Sequence, residues 1–294
     1  MLVVDNDVLE SGRSVVNEIA PMVSYRTAYV VAPERGLSYA RNAALDNALE
    51  TDTIAFIDDD EVAHPGWLDQ LVLTRRLYAA DVVTGPVISQ FSCPPPDWVV
   101  KGGFFDRPRP ASGSRLSEAR TGNVLISSAS LKNTGIRFDP QFNLSGGEDA
   151  DFFRRLNAAG MKIVAADSAI VYETVPVSRI SACWVSLRAL RIGNSDGHQV
   201  LKRSPSVRTR MALLASGVAR MVFGAALSVA SPPFGKHVLV RNAQRMCRGV
   251  GTMMASLGMH YNPYNRAPID TGLTPRSTCA TNPGTKPSMS VPTL

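Results

Sequence analysis

The sequence of 294 residues is poor in the side chains that bind soft metals or build disulfide frameworks. It contains only four cysteines and four histidines, and the cysteines lie far apart without a Cys-x-x-Cys pair. Such spacing argues against a structural zinc site and against a disulfide-stabilised domain, and it is typical of a reducing compartment. The cysteines are Cys93, Cys183, Cys247 and Cys279.

Acidic residues are missing from one long segment near the C-terminus. Residues 197–269 contain ten lysines and arginines but no aspartate or glutamate. Because the whole chain has a net charge of +6, the rest of it has a net charge of −4. A basic C-terminal region favours polyanions such as anionic lipid, a lipid pyrophosphate or nucleic acid. Aromatic residues are not interleaved with these charges, so we expect no nucleic-acid partner.

An apolar run followed by four consecutive acids is the feature around which the chain is organised. Residues 54–57 predict a buried strand, because they are apolar and are followed closely by the turn residues 64–66. The acids after the strand repel one another, which raises the cost of ionising each of them unless a cation is present. Oxygen ligands in this position suit Mg²⁺ or Mn²⁺, although a solvated turn that caps the next helix is the alternative. The acids are Asp58, Asp59, Asp60 and Glu61.

Strands and helices alternate along the first part of the chain. This order is typical of a parallel α/β sheet. A segment rich in proline, glycine and arginine, residues 91–118, predicts a long irregular loop. The predicted strands are 2–4, 29–31, 54–57, 82–84, 121–126, 163–165 and 169–172, and the predicted helices are 11–20, 37–50, 66–80 and one that begins near residue 148.

Further polar residues follow strands or begin helices. Asp5 ends the first strand, and Arg41 and Asn42 lie near the start of a helix, where backbone N–H groups help to bind an anion. Glu148 and Asp149 follow two glycines at the start of another helix. Acids in that position can simply complement the helix dipole, and this alternative stays open on the sequence alone.

Taken together, these motifs resemble family 2 glycosyltransferases of the GT-A type, and more narrowly the bacterial exopolysaccharide (succinoglycan-type) sugar transferases. The resemblance covers roughly residues 2–193, with the motifs in the order of the family. The matching segments are Val3-Val4-Asp5-Asn6, Gly36-Leu37-Ser38 with Ala40-Arg41-Asn42, Phe56-Ile57-Asp58-Asp59-Asp60-Glu61 with Pro65-Gly66-Trp67-Leu68, Thr121-Gly122-Asn123, Gly146-Gly147-Glu148-Asp149, and Val175-Pro176 through Arg179.

The resemblance implies a GT-A fold, with a Rossmann-like mixed sheet, and a donor site built on acids. Asp58 and Asp60 correspond to the DxD element of the family. Asp60 would hold an Mg²⁺ or Mn²⁺ ion that bridges the donor diphosphate, and Asp58 would lie against the ribose and the metal. Asp5 would reach the nucleobase. Asp59, Arg41 and Asn42 would line the nucleotide side of the site.

The resemblance also implies the catalytic residues and the acceptor side. Asp149, with Glu148 beside it, corresponds to the acidic pair that takes the proton from the acceptor hydroxyl. Thr121, Gly122 and Asn123 would line the acceptor side. The implied reaction is metal-dependent, inverting transfer from a nucleotide-sugar donor to a lipid-linked or saccharide acceptor in cell-surface polysaccharide synthesis.

Two alternatives to an active transferase remain at this stage. Family members begin with a strand and helix of roughly 30–40 residues ahead of the strand that ends in Asp5, which predicts that the present chain lacks half of the nucleotide pocket and is an inactive remnant. Asp58 to Val62 also fits the D-x-D-x-[TV] string of haloacid-dehalogenase-type phosphatases, in which Asp58 would be a phosphorylated nucleophile.

The sequence predicts three parts: a catalytic domain at residues 1–195, a basic membrane-associating region at 196–266 and a disordered tail at 267–294. Residues 211–230 are apolar and carry one charge, Arg220, which disfavours a membrane span. Residues 239–257 form a basic amphipathic pattern that suits an anionic bilayer. In-plane helices, a spanning or re-entrant hairpin, and helices packed on the domain are the alternatives. We expect a location at the cytoplasmic side of the inner membrane.

Overall fold

The computed structural model describes residues 1–143, 146–229 and 231–261. The predicted tail at residues 267–294 and the last five residues of the predicted basic region lie outside the described residues. Ten strands occur in the described part: β1 (Leu2–Asp5), β2 (Ala28–Val31), β3 (Thr53–Ile57), β4 (Glu61–Ala63), β5 (Val82–Thr84), β6 (Val87–Phe91), β7 (Arg115–Leu116), β8 (Asn123–Ser127), β9 (Ile163–Ala165) and β10 (Val171–Val175).

Nine α-helices join and cover these strands in the described residues. They confirm the positions predicted for the helices, with small differences at the ends. The helices are α1 (Arg13–Ile19), α2 (Leu37–Ala48), α3 (Trp67–Leu77), α4 (Asp97–Gly102), α5 (Ser128–Thr134), α6 (Glu148–Ala158), α7 (Ala182–Arg203), α8 (Val207–Val229) and α9 (Lys236–Ser256).

The central sheet is mixed and not purely parallel. Its strand order is β3-β8-β5-β9-β7, and β8 runs antiparallel to both of its neighbours, whereas β5 and β9 are parallel. The parallel order predicted for the first part of the chain is confirmed for β1 with β2 and for β3 relative to β5, and the strand that departs from it is β8. The reason is its connection: the chain reaches β8 from β5 through β6, α4 and β7, and not through the single crossover helix that makes neighbouring strands parallel. The mixed sheet agrees with the GT-A fold class.

Two smaller sheets flank the central one. Strands β1 and β2 pair in parallel through the crossover helix α1, as predicted. Strand β10 pairs in parallel with β6 and antiparallel with β4. This last pairing sets Glu61 of β4 opposite Glu173 of β10, directly beside the acidic turn.

The segment at residues 91–118 is more regular than predicted. It contains α4 and β7, and Pro96 precedes the first turn of α4, where a proline is well tolerated. Val99 and Phe105 are buried in a cluster that also includes Val185 of α7. This apolar packing orders a segment whose proline and glycine content indicates a loop.

The main core lies between the central sheet, α5 and α6. All five residues of β8 are buried, and Phe138 and Phe152 stack with ring centroids 3.9 Å apart. Burial of large aromatic side chains of this kind is the main stabilising contribution in such a domain. It fixes the orientation of α6, whose first turn carries the predicted catalytic acids.

The last three helices pack closely through glycines. A Cβ atom at Gly193 of α7 would lie 2.2 Å from the carbonyl oxygen of Arg248, and one at Gly249 would lie 2.6 Å from that of Gly217. Helix α9 is therefore in close contact with both α7 and α8. The predicted boundary between residues 195 and 196 falls inside α7, and the division of the chain into parts stays a prediction.

Helix α8 covers most of the apolar segment predicted from the sequence. It is the one helix in the described residues that is long and apolar enough to cross a membrane. Its outer face is exposed, with Val222 at 58% and Phe223 at 59% relative exposure.

Two of the four cysteines, Cys183 and Cys247, are free thiols in the part of the chain that the structure describes.

Candidate active site

A cleft of about 710 Å³ opens where β3, β10, α2, α6 and α7 meet. It brings together residues that are far apart in the sequence. Five of the eight predicted donor-site and catalytic residues form its acidic wall, and Arg41 faces them. The predicted residues that line the cleft are Arg41, Asp58, Asp59, Asp60, Thr121, Gly122, Glu148 and Asp149, together with Glu61 of the acidic turn.

Arg41 connects the two acidic motifs. Its Nη1 donates a hydrogen bond to Oε1 of Glu148, and its Nη2 lies 3.6 Å from Oδ1 of Asp58. The side chains of Arg41 and Glu148 are only 13% and 4% exposed. A charge pair this well buried holds its two elements together, because neither charge can be left unpaired at low cost.

Burial and two neighbouring charges act on the carboxyl group of Glu148. Burial raises the pKa of its carboxyl group; Arg41 opposes that rise and the charge of Asp149 adds to it. Within the described residues, Oε2 of Glu148 has no hydrogen-bond partner. A buried carboxylate oxygen without a hydrogen-bond partner lowers the stability of the fold. Buried polar groups left unsatisfied in this way are found at sites that bind a substrate.

The acids in the turn after β3 are partly buried and repel one another. Burial raises the pKa of Asp58, and Asp60 and Asp149 raise it further, although Arg41 acts in the opposite direction. Asp60 lies 3.6 Å from Nη1 of Arg179. Glu61 accepts a hydrogen bond of 3.1 Å from the Asp58 amide, and burial raises its pKa to about 8.

The donor set of this turn suits a hard cation. Asp58 and Asp60 offer only carboxylate oxygens, and the raised pKa of Asp58 shows that positive charge nearby would stabilise its ionised form. The described residues contain no group of three or more acidic, histidine or cysteine side chains arranged as a complete metal site. A cation held by these two acids would take its other ligands from a diphosphate and water, as Mg²⁺ commonly does.

Asp149 is held in the first turn of α6 by contacts from α7. Gly146 and Gly147 precede the helix with φ values of 76° and 92°, which glycine adopts without a steric penalty. Ser195 donates a hydrogen bond of 3.0 Å to the Gly146 carbonyl oxygen, and Gln199 donates one of 3.3 Å to that of Gly147. The sequence analysis missed Ser195 and Gln199, because nothing in their spacing links them to a turn nearly fifty residues earlier.

Two of the predicted nucleotide-side residues lie elsewhere. Asp5 accepts hydrogen bonds from the amides of Asp7 and Gly12, at 2.8 and 2.9 Å, and from the Tyr29 hydroxyl. Asn42 forms a pair of 2.9 Å hydrogen bonds with the backbone of Phe138. Neither side chain lines the cleft formed by the described residues, and their roles toward a nucleotide stay predictions.

The opposite wall of the cleft is rich in arginine. Arg179 lies 3.2 Å from Glu173, which also pairs with Arg107. The Arg179 guanidinium lies 6.0 Å from the centre of the Trp184 ring. The sequence analysis did not single out Glu173 or Arg107. The signal that could have revealed them is the pairing of β4 with β10, which places Glu173 opposite Glu61. Two carboxylates this close to each other require positive charge nearby.

Asn123 has a structural role in addition to its predicted position on the acceptor side. Its Oδ1 accepts a 2.8 Å hydrogen bond from Nε1 of Trp67, and its Nδ2 donates to the backbone oxygens of Pro86 and Ala169 at 2.9 and 2.7 Å. These contacts fix the start of β8. Its neighbours Thr121 and Gly122 therefore face the cleft in a defined orientation.

Comparisons with known proteins identify the family of the chain. The model of glycosyl transferase family 2 matches residues 1–140. Succinoglycan biosynthesis protein ExoM of Rhizobium meliloti (strain 1021) is 34% identical over 208 residues, which is 71% of this chain and 67% of that protein.

The solved structures that match the chain are less similar to it in sequence. Residues 1–349 of S. aureus TarS in complex with UDP give a TM-score of 0.46 at 16% identity, over 89% of this chain and 83% of that one. GalNAc-T7 with UDP, GalNAc and Mn²⁺ gives a TM-score of 0.47 at 11% identity, over 69% and 44% of the two chains.

The family is therefore established by the sequence relatives, and the phosphatase alternative is excluded. The acidic turn, the glycine-led α6 and the mixed sheet occur in a chain that is 34% identical to a relative over two thirds of that relative's length. This protein belongs to glycosyltransferase family 2 and is a transferase of the GT-A fold class.

Proposed function

We propose that this protein transfers a sugar from a nucleotide-diphosphate donor to a hydroxyl group of a lipid-linked saccharide, with inversion, in the synthesis of an extracellular polysaccharide. The observation that carries the proposal is the ion pairing of Arg41 with both Asp58 and Glu148. It brings the acidic turn after β3 and the acidic pair at the start of α6 to one cleft. The name of the relative ExoM supports the assignment to polysaccharide synthesis.

The residues of the cleft have different roles in the proposed reaction. Asp58 and Asp60 would hold the divalent ion, which when bound neutralises charge on the leaving diphosphate. Asp149 accepts the proton of the acceptor hydroxyl as its oxygen forms a bond to the anomeric carbon. The bond from that carbon to the diphosphate oxygen breaks, and its electron pair leaves with the nucleoside diphosphate. Attack on the face opposite the leaving group inverts the configuration.

Glu148 and Arg41 act as positioning residues in this scheme. Their buried pair fixes the first turn of α6 relative to α2. Asp149 itself is half-buried, lines the cleft and accepts a 2.7 Å hydrogen bond from the amide of Ala150. We infer that an acceptor hydroxyl bound in the cleft would lie close to its carboxylate.

We also infer that the protein binds an anionic membrane through α8 and α9. The apolar outer face of α8 is exposed. Its central charge, Arg220, donates a 3.3 Å hydrogen bond to Thr252 of α9, and Arg210 donates one of 3.0 Å to the Ser256 carbonyl oxygen. Turning these charges toward α9 leaves an apolar surface beside basic residues, a combination that suits the interface of an acidic bilayer.

The test is a transfer assay with the full chain. A set of radiolabelled UDP-sugars, Mn²⁺ and a lipid extract from polysaccharide-producing bacteria would be incubated with the protein, and label in the lipid fraction would be measured. Metal-dependent incorporation that is lost in Asp149→Asn supports the proposal. Binding of UDP and Mn²⁺ without transfer of any of the sugars would instead favour the inactive remnant.

A further inference from the structure

A second cavity of about 350 Å³ adjoins the main cleft. It lies between the turn that joins β5 to β6, the segment after α4 and the end of β9. Five residues line both cavities, and we call this set the junction. The acids of the predicted donor site, at residues 58–61 and 148–149, do not line the smaller cavity in the described part of the chain. The junction consists of Arg107, Glu118, Ala119, Arg120 and Arg188.

The junction carries positive charge that the described residues do not neutralise. Arg107 pairs with Glu173, and Glu118 lies 2.5 Å from Nη2 of Arg154. Arg120 and Arg188 form no ion pair with any described carboxylate. Where the two cavities meet, exposed Arg120 and half-buried Arg188 thus have no ion-pair partner in the described part of the chain, although the charge of Glu173 acts on Arg188 and raises its pKa.

Arg188 is held in place by aromatic packing. Its guanidinium lies 5.4 Å from the centre of the Trp184 ring, and that ring stacks on Phe105 with an interplanar angle of 11°. Burial lowers the pKa of Arg188 to about 10, and the positive charges of Arg107 and Arg191 contribute in the same direction. The group remains charged at neutral pH in a place where its neighbours repel it. A bound anion would remove that repulsion.

We propose that the junction binds a phosphate group of the acceptor substrate, with Arg120 and Arg188 as its ligands. Guanidinium groups bind phosphate oxygens in a bidentate manner, and two of them match a dianion. The inference rests on the proposed function, which places the donor diphosphate at the acidic turn. Arg120 and Arg188 also line the smaller cavity, which the acids of that turn do not line, and this cavity gives a second substrate room beside the donor. The anion at the junction is therefore assigned to the acceptor.

The first experiment uses inorganic pyrophosphate as the probe. It is titrated calorimetrically into the full chain in EDTA, so that no metal can recruit it to the acidic turn. The unmodified protein is expected to bind, and Arg188→Gln and Arg120→Gln are each expected to weaken binding roughly tenfold or more, since each removes a charge-assisted hydrogen bond. Arg188→Lys, which keeps the charge, is expected to lose less affinity and shows that the site still folds.

The matched control is Arg115→Gln. Arg115 is an exposed arginine of β7 that lines neither cavity, and its loss is expected to leave pyrophosphate affinity unchanged. The proposal is overturned if the unmodified protein does not bind pyrophosphate in EDTA. It is also overturned if Arg115→Gln weakens binding as much as Arg188→Gln does.

The second experiment separates the two possible sources of the phosphate. Affinity for UDP in the presence of Mn²⁺ is measured for the unmodified protein, Arg120→Gln and Arg188→Gln, and changes below about threefold support an acceptor site. An equal loss of UDP and pyrophosphate affinity assigns the arginines to the donor and overturns the proposal. Failure of the proposed donor site is recognised separately, by unchanged UDP affinity in Asp60→Ala.

Discussion

Arg41 donates a hydrogen bond to Glu148 across 107 residues of sequence, and both side chains are buried within the cleft. The pair joins the helix that follows the first crossover to the helix that carries the predicted catalytic base. Both charges have lost most of their contact with water, and each offsets the desolvation cost of the other.

The first prediction concerns this pair. Replacing Arg41 by methionine leaves the carboxylate of Glu148 without its partner, and we expect the free energy of unfolding to fall by about 3–5 kcal/mol. The exposed pair of Arg137 and Asp46, 3.2 Å apart, is the control, and Arg137→Met is expected to cost less than about 1 kcal/mol. Urea unfolding of the three proteins measures both values. Equal losses in the two variants would contradict the role given to burial.

The second prediction concerns the acidic turn. Asp60→Ala is expected to abolish Mn²⁺-dependent binding of UDP without unfolding the protein, because Asp60 lies on an exposed turn and would supply a ligand of the cation. Calorimetric titration of UDP with and without Mn²⁺ gives the affinities. Asp69, an exposed acid in the first turn of α3, is the control, and Asp69→Ala is expected to bind as the unmodified protein does. Unchanged binding by Asp60→Ala would remove the metal assignment.

The third prediction separates catalysis from binding. Asp149→Asn keeps the shape of the side chain but removes its basicity, so transfer is expected to fall by roughly 10²–10⁴. Affinity for UDP and Mn²⁺ is expected to stay within about threefold, because the base acts on the acceptor. Transfer at the unmodified rate would show that Asp149 only caps α6.

The fourth prediction concerns the pH dependence of stability near the N-terminus. The Tyr29 hydroxyl lowers the pKa of Asp5, and burial together with Asp5 raises the pKa of Tyr29 to about 12. A lowered carboxyl pKa stabilises the fold above about pH 4, and this contribution is lost as the pH falls through the folded value. A raised phenol pKa stabilises it below about pH 10, and this contribution is lost as the pH rises toward the folded value.

Tyr29→Phe removes both effects, and urea midpoints measured across the pH range test them. The midpoint of the variant is expected to lie furthest below that of the unmodified protein between about pH 4 and pH 10. The difference is expected to shrink at pH 2 and above pH 11. A difference that is independent of pH would indicate lost packing and not a lost hydrogen bond.

The fifth prediction tests the membrane surface. The full chain is expected to sediment with liposomes that contain acidic lipid, and Val222→Asp on the outer face of α8 is expected to reduce the bound fraction. Val8→Asp, at a position 69% exposed and far from α8 in the sequence, is the control. High salt should release in-plane helices, because the Debye length falls from about 8–10 Å near physiological ionic strength to about 3 Å at 1 M salt. It should leave a spanning helix bound. Failure to bind at low salt would contradict the membrane proposal.

Local patterns sufficed for much of the fold and for the residues of the acidic wall. The apolar run before Asp58 and the glycines before Glu148 each fix a nearby strand or helix end, because their effect is local. Other features depend on packing between segments that are distant in the sequence. They are the direction of β8, the formation of helix α4 at residues 97–102 and the cluster of arginines around Glu173. Asn42 shows the same limit, since its side chain binds the backbone of a residue almost a hundred positions away.

The contacts of Ser195 and Gln199 with the two glycines before α6 have a practical consequence for protein engineering. These side chains belong to α7, which packs against α9 along its length. The proposed base, Asp149, is thus linked through α7 to α9. We expect truncation of the C-terminal helices to disturb the turn before α6 as well as the helix packing. Exchange of the C-terminal helices between related enzymes should therefore carry the segment from residue 182 onward as one piece, together with the turn at residues 146–149.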